Sequence, residues 1–279
     1  MTGIQNTETI CREWETERLK HPFFGENKSE KEIRAVWDSA AEKYSDKNYN
    51  LIKEEIIDFL CSEYDLKDKT LVDIGCGPGT YALPLSRRMK SILCVDQSRD
   101  MLDRLRDTVK EEGIVNIECA ECDCRSMPLD FRRNVAFTSL CPPMNNPESV
   151  LGMERYADDL CIYISSANRD SSVETEIWKR LGRDYHYGGY HTEYPYMYLR
   201  SVGRKPTVKY FSQKISEAES FEEAAERFKT AFGKYLSLTD EITEIIEDAV
   251  RNHSVDGFLR TERDNVKGLL VWVPERNRN

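Results

Sequence analysis

Ile33, Val36, Trp37, Ala40, Ala41 and Tyr44 recur every three or four residues. With Ser29 and Glu32 placed as a capping box, they predict an amphipathic helix ahead of any strand. A second helical pattern, Leu51, Ile52, Ile56, Ile57 and Leu60, gives way after polar residues 65–69 to the apolar run Thr70-Leu71-Val72-Asp73-Ile74, where the period becomes that of a strand. Further strands are expected at 91–95, 115–119, 135–140 and 160–164. Met101, Leu102, Leu105 and Val109 form a helix behind a Ser98 cap. Strands alternating with helices predict a mostly parallel sheet covered on both faces.

Beyond residue 165 the rhythm loosens. A helix near 173–181, a Tyr/His/Gly-rich stretch over 182–198 and a strand near 207–211 are followed by helices at 221–235 (behind Ser220) and 240–251, then a strand at 269–273. The expected organisation is an N-terminal helical cap over 1–50 and an α/β domain over 51–279, with a substrate-side insertion about 166–206.

A length of 279 residues suffices for one large α/β domain, and no apolar run approaches the roughly 20 residues of a spanning helix. Residues 1–20 lack the apolar core of a secretory signal. Nine cysteines, several within expected strands, fit reduced thiols better than a disulfide framework. A soluble, cytoplasmic protein is expected. The formal charge of -10, with no Lys/Arg block, disfavours nucleic acid as a partner.

The most informative segment is Val72-Asp73-Ile74-Gly75-Cys76-Gly77-Pro78-Gly79-Thr80, between an expected strand and an expected helix beginning near Thr80. Glycines on alternate positions let the backbone turn sharply and approach a ligand closely. A dinucleotide fingerprint needs Gly or Ala where Thr80 stands, so the spacing speaks against NAD or FAD.

These residues resemble the first motif of the class I S-adenosylmethionine (SAM)-dependent methyltransferases, well over about residues 33–165 and beyond that only in layout. The resemblance implies a Rossmann-like, seven-stranded, mostly parallel sheet with helices on both faces, an N-terminal helical cap and an insertion after the fifth strand. It implies SAM as cofactor and S-adenosylhomocysteine (SAH) as product. Asp73 and the loop of Gly75, Cys76, Gly77 and Gly79 would hold the methionyl part. Asp96, closing Ile92-Leu93-Cys94-Val95-Asp96, would take both ribose hydroxyls, a charge-assisted arrangement that explains an acid there. Gln97 and Met101 would flank the adenine, Asp123 would accept from its amine, Cys124 would offer its backbone N–H, and Leu140 would line the site. Trp37 and Tyr44 of the N-terminal helix would fold over the cofactor, although core packing explains both nearly as well.

Three weaker constellations remain. Cys119, Cys122 and Cys124, with Cys141, have too few partners at metal-site spacing, so no metal is expected. Cys141-Pro142-Pro143-Met144 is similar to the Asn/Asp-Pro-Pro-aromatic tetrapeptide of amino-methylating enzymes. It departs from that motif at both functional positions, and a rigid turn at the site mouth is the preferred reading. The Tyr-rich stretch offers His186, His191 and Tyr194 as candidate catalytic residues, since imidazole can take the proton an acceptor loses; a lid or oligomer contact, as in a homodimer, explains it equally. In-line methyl transfer needs alignment and exclusion of water more than a dedicated base. The expected function is therefore methyl transfer to a small-molecule acceptor. The alternatives are a protein or peptide methyltransferase and a non-catalytic SAM-binding regulator.

Overall fold

The computed structural model describes residues 6–25, 29–41, 50–168, 171–185 and 192–275. Four helices come first: α1 (Thr7–Leu19), α2 (Pro22–Gly25), α3 (Glu30–Ala41) and α4 (Asn50–Glu63). The expected box caps α3, with Ser29 N donating to Glu32 Oε2 at 2.8 Å and Glu32 N to Ser29 Oγ at 3.4 Å. The periodicity did not predict α1, because Ile10 and Trp14 are its only buried residues and too thin a stripe to register.

The sheet follows in order. β1 (Thr70–Ile74), β2 (Ser91–Asp96), β3 (Ile117–Glu121), β4 (Arg133–Ser139) and β5 (Ala157–Asn168) are interleaved with α5 (Ala82–Ser86), α6 (Arg99–Glu111) and α7 (Pro147–Gly152). Between β5 and β6 (Thr207–Ser220) lie α8 (Ser172–Arg180) and α9 (Glu193–Ser201). Then come α10 (Phe221–Gly233), α11 (Asp240–His253), the two-residue β7 (Ser254–Val255) and β8 (Phe258–Trp272). The spatial order is β3-β2-β1-β4-β5-β8-β6, with β7 paired to β8. β1 to β5 are parallel, and β8 is antiparallel to both neighbours. This is the expected Rossmann-like sheet with one short extra strand.

One face buries α4, α5 and α6 through residues such as Ile56, Leu60, Leu85, Leu102 and Leu105. The other carries Trp14 of α1, Val150 of α7 and Leu199 of α9. A third cluster, centred on Trp178, Phe228, Phe232, Ile246 and Leu259, joins α8, α10 and α11 to the start of β8. It forms because β6 and β8 run much further than the sequence suggested. β5 ends with Asn168 opposite Val266, whereas β6 and β8 stay paired out to Ser220 opposite Phe258. The ribbon therefore projects beyond the carboxyl ends of the parallel strands. Past Phe211, β6 reads Ser-Gln-Lys-Ile-Ser-Glu, whose single apolar residue hid the strand.

Candidate functional site

The glycine loop leaves β1 at a fixed angle because Gly75 N and Cys76 N both donate to Val95 O of β2, at 2.8 and 3.1 Å. Gly75, Gly77 and Gly79 have φ of 72°, 54° and 86°, the left-handed region that side chains resist. A Cβ on Gly75 would lie 2.3 Å from Cys141 Sγ, and one on Gly79 2.5 Å from Leu105 Cδ1 of α6. Gly77 differs: apart from its chain neighbours, no atom of the described residues lies within 4 Å of where its Cβ would sit, so its bare backbone faces open space.

Asp96 ends β2 and organises the loop from the other side. Its Oδ2 accepts from Gly77 N at 2.8 Å and its Oδ1 from Ser98 N at 2.8 Å. Burial pushes its pKa up, against these backbone bonds, which favour the charged form. Gln97 N also reaches this carboxylate, so of its roughly four lone-pair positions about one stays open for another donor. Asp73, one strand over, is 2% exposed, and no hydrogen bond from a described residue reaches its carboxyl. Burial and the neighbouring Asp96 charge push its pKa up to about 8. A buried acid of this kind calls for a cationic partner.

α3 crosses the carboxyl ends of β2 and β3. Its Asp38 accepts from Ser98 Oγ at 2.6 Å, and Arg34 pairs with Glu121 at the end of β3. Trp37 lies beside Asp38, half-buried, its ring 6.0 Å from that of Phe23. Ser98 caps α6 as expected, accepting from Met101 N at 3.3 Å; Met101 is buried and Gln97 half-buried next to Asp96. Asp123 is gripped by Arg125, which donates from its backbone N and from Nε, both at 2.9 Å, and this holds the carboxyl below its usual range. Cys124 is hydrogen-bonded through its thiol to Cys141, whose pKa is pushed well above the usual thiol range by that bond and by burial. All nine cysteines are free, and among the described residues no group of three His, Cys, Asp or Glu side chains is arranged to hold a metal.

Leu140, directly after β4, has φ of 50°, a strained conformation for a residue with a Cβ. It turns the chain into the 3-10 turn Pro142–Met144 and so sets Cys141 against Gly75. Sequence reasoning missed the residue that anchors this turn. Asn145 is 3% exposed, and its Oδ1 accepts from Trp14 Nε1 at 3.2 Å and from Tyr163 OH at 3.4 Å. Trp14 and Tyr163 stand 131 and 18 residues away, and no local spacing announces such a contact.

Tyr194 sits on α9 among Glu13, Glu17 and Lys20 of the α1 region, and burial with the two acids pushes its phenol up. The described contacts thus place it with the N-terminal helix rather than the glycine loop. His186, His191 and Tyr44 lie outside the described residues.

Residues 71–151 match the model of a family described as a methyltransferase domain. This stretch resembles a methyltransferase domain. The matched residues run from β1 into α7 and hold Asp73, the glycine loop, Asp96 and the Leu140 turn. The chain is 26% identical over 102 residues to a probable ribosomal RNA small subunit methyltransferase A of Methanosphaera stadtmanae, covering 36% of each protein. It is 27% identical over 133 residues to a probable cobalt-precorrin-6B C(15)-methyltransferase (decarboxylating) of Methanococcus vannielii, covering 47% of this chain and 72% of that one. It thus spans about a third of the first of these relatives. Among solved structures, a Bacillus halodurans protein described as a methyltransferase superposes with a TM-score of 0.54 at 13% identity, over 80% of this chain and 100% of that one. The YcgJ protein of Bacillus subtilis gives 0.50 at 14% identity, over 80% and 99%. These two likenesses concern the fold.

Proposed function

We propose that this chain is a SAM-dependent methyltransferase acting on a small-molecule acceptor. The observation that carries the reading is the pairing of a buried and a half-buried carboxyl with an open glycine backbone. Asp96 is fixed by Gly77 N and Ser98 N with a lone pair to spare, and Asp73 beside it is buried with no partner among the described residues. These residues fit an adenosyl amino acid. Asp96 would take the ribose hydroxyls, Asp73 the ammonium, and Gly77 the close approach that a side chain would obstruct. Gln97 and Met101 would flank the base, and Asp123 would serve its amine with the lone pairs that Arg125 leaves.

When bound, SAM supplies a methyl carbon activated by positive sulfur. The chain's own part is to orient and to exclude water. The helices of the first 50 residues act as a cap, α3 being fastened to the strand ends through Asp38 and Arg34. The Leu140–Asn145 turn forms the wall of the acceptor side. The chain's acidity, -10 overall, argues for a small acceptor over a nucleic acid.

Calorimetric titration with SAM and SAH, with NAD as control, tests the reading. The wild type should bind both adenosyl ligands with micromolar affinity and ignore NAD. Asp96→Ala and Gly77→Val should each abolish measurable binding, and retained affinity in both variants would refute the site.

A further inference from the structure

The ribbon beyond the carboxyl edge carries a polar layer that the cofactor site does not use. Phe211, Gln213 and Ile215 of β6 lie opposite Lys267, Asn265 and Arg263 of β8, so all six share one face. Apolar clusters close both ends, Leu269 and Phe211 toward the main sheet and Leu259 toward α10 and α11. Between them, Gln213, Arg263 and Asn265 are half-buried and Lys267 is 3% exposed.

Two atoms of this layer are anomalous. Arg263 Nε and Gln213 Oε1 are buried and have no hydrogen-bond partner among the described residues. Arg263 also forms no ion pair among the described residues, in a chain with 50 acidic side chains. The acids that flank it along β8, Glu262 and Asp264, alternate onto the opposite face of the ribbon. An apolar residue would fill either position without the desolvation penalty of an unmet donor or acceptor. Lys267 Nζ, 3.3 Å from Ser166 Oγ near the end of β5, adds a second positive charge to the same face. An unmet donor on a cation, an unmet acceptor diagonal to it across the ribbon and a buried lysine form a receptor for a molecule with an oxyanion and an adjacent N–H or O–H. In open α/β sheets, ligands enter at the carboxyl ends of the strands, and the layer stands there.

We propose that the methyl acceptor is a small oxyanion-bearing molecule, a carboxylate or phosphate, anchored by Arg263 while Gln213 accepts from a neighbouring donor of the same molecule. The inference rests on the methyltransferase reading and narrows its substrate class.

The test uses the full chain, radiolabelled SAM and matched pairs of acceptors: amino- and hydroxycarboxylic acids against their carboxamides, and phosphate monoesters against their parent alcohols. SAH binding is measured first. Methylation should be confined to the charged members, and which series is methylated distinguishes carboxylate from phosphate. Arg263→Met should raise the acceptor KM by about tenfold or more, Arg263→Lys should recover part of the loss, and Gln213→Leu should raise KM with either Arg or Lys at 263. SAH affinity and melting temperature should hold in every variant, because the altered groups have no protein partner to lose. Equal methylation of neutral and charged members, an unchanged KM in Arg263→Met, label confined to added RNA or protein, or SAH binding with no charged acceptor methylated would each overturn this inference alone. Absence of SAH binding would overturn the methyltransferase reading and this inference with it.

Discussion

Asp73 concentrates the chemistry of the site in one proton. Its carboxyl titrates near 8 in the fold against 3.8 in an open chain. Between those values the folded protein holds a proton that the unfolded chain has released, so stability falls as pH rises from about 4 to about 8 and is level above. Urea midpoints measured across that window should decline in the wild type and much less in Asp73→Asn. An ammonium placed beside the carboxyl would restore its charge and expel the proton. SAM binding at pH 7 should then release up to about one proton, read as a dependence of the binding enthalpy on the buffer's ionisation enthalpy, and Asp73→Asn should remove that dependence. Gly75 is constrained differently. Gly75→Ala would set a methyl 2.3 Å from Cys141 Sγ and 2.9 Å from its Cβ at a φ of 72°. Overpacking with backbone strain costs about 2 kcal/mol or more, and a lowered melting temperature should be only partly recovered by adding Cys141→Ala.

At the level of elements, local signals were legible where the partners are close in sequence. The Ser29, Ser98 and Ser220 caps, the strand-to-loop motif and the alternation of β1 to β5 with helices could all be read, because each depends on a few consecutive residues and a core on both faces. The ends of β6 and β8 could not be read, since polar residues such as Gln213 and Arg263 pair only with each other's strands. Asn145 and the α1 helix were hidden for the same reason, their stabilising contacts being distant in the chain. The strand-end acids Asp73, Asp96 and Asp123 were visible in order, whereas the Arg125 that holds Asp123 and the Asp38 that holds Ser98 were not. Ser98 is the element-scale joint, capping α6 and donating to α3 while fully buried. Ser98→Ala should cost about 1–2 kcal/mol by the lost cap and bond, and hydrogen exchange should show α3 opening more often than α4.

Across the whole molecule, the α8, α10 and α11 cluster is a core of its own, joined to the main sheet by the ribbon. Trp178, 1% exposed and 4.6 Å from the Phe232 ring centroid, is its largest side chain. Trp178→Ala should cost about 3–5 kcal/mol, melting these helices first while SAH binding to the sheet survives; loss of the main sheet in the same transition would show that the two cores are one cooperative unit. The strand order carries a further consequence for how the protein is made. β2 to β5 each find a neighbour among strands already synthesised, but β8 fits between β5 and β6, both made before it. On the ribosome, β5 must wait with one edge unpaired, and β6 has no strand to join until α10 and α11 have emerged. The last strand to appear is the one that closes the sheet.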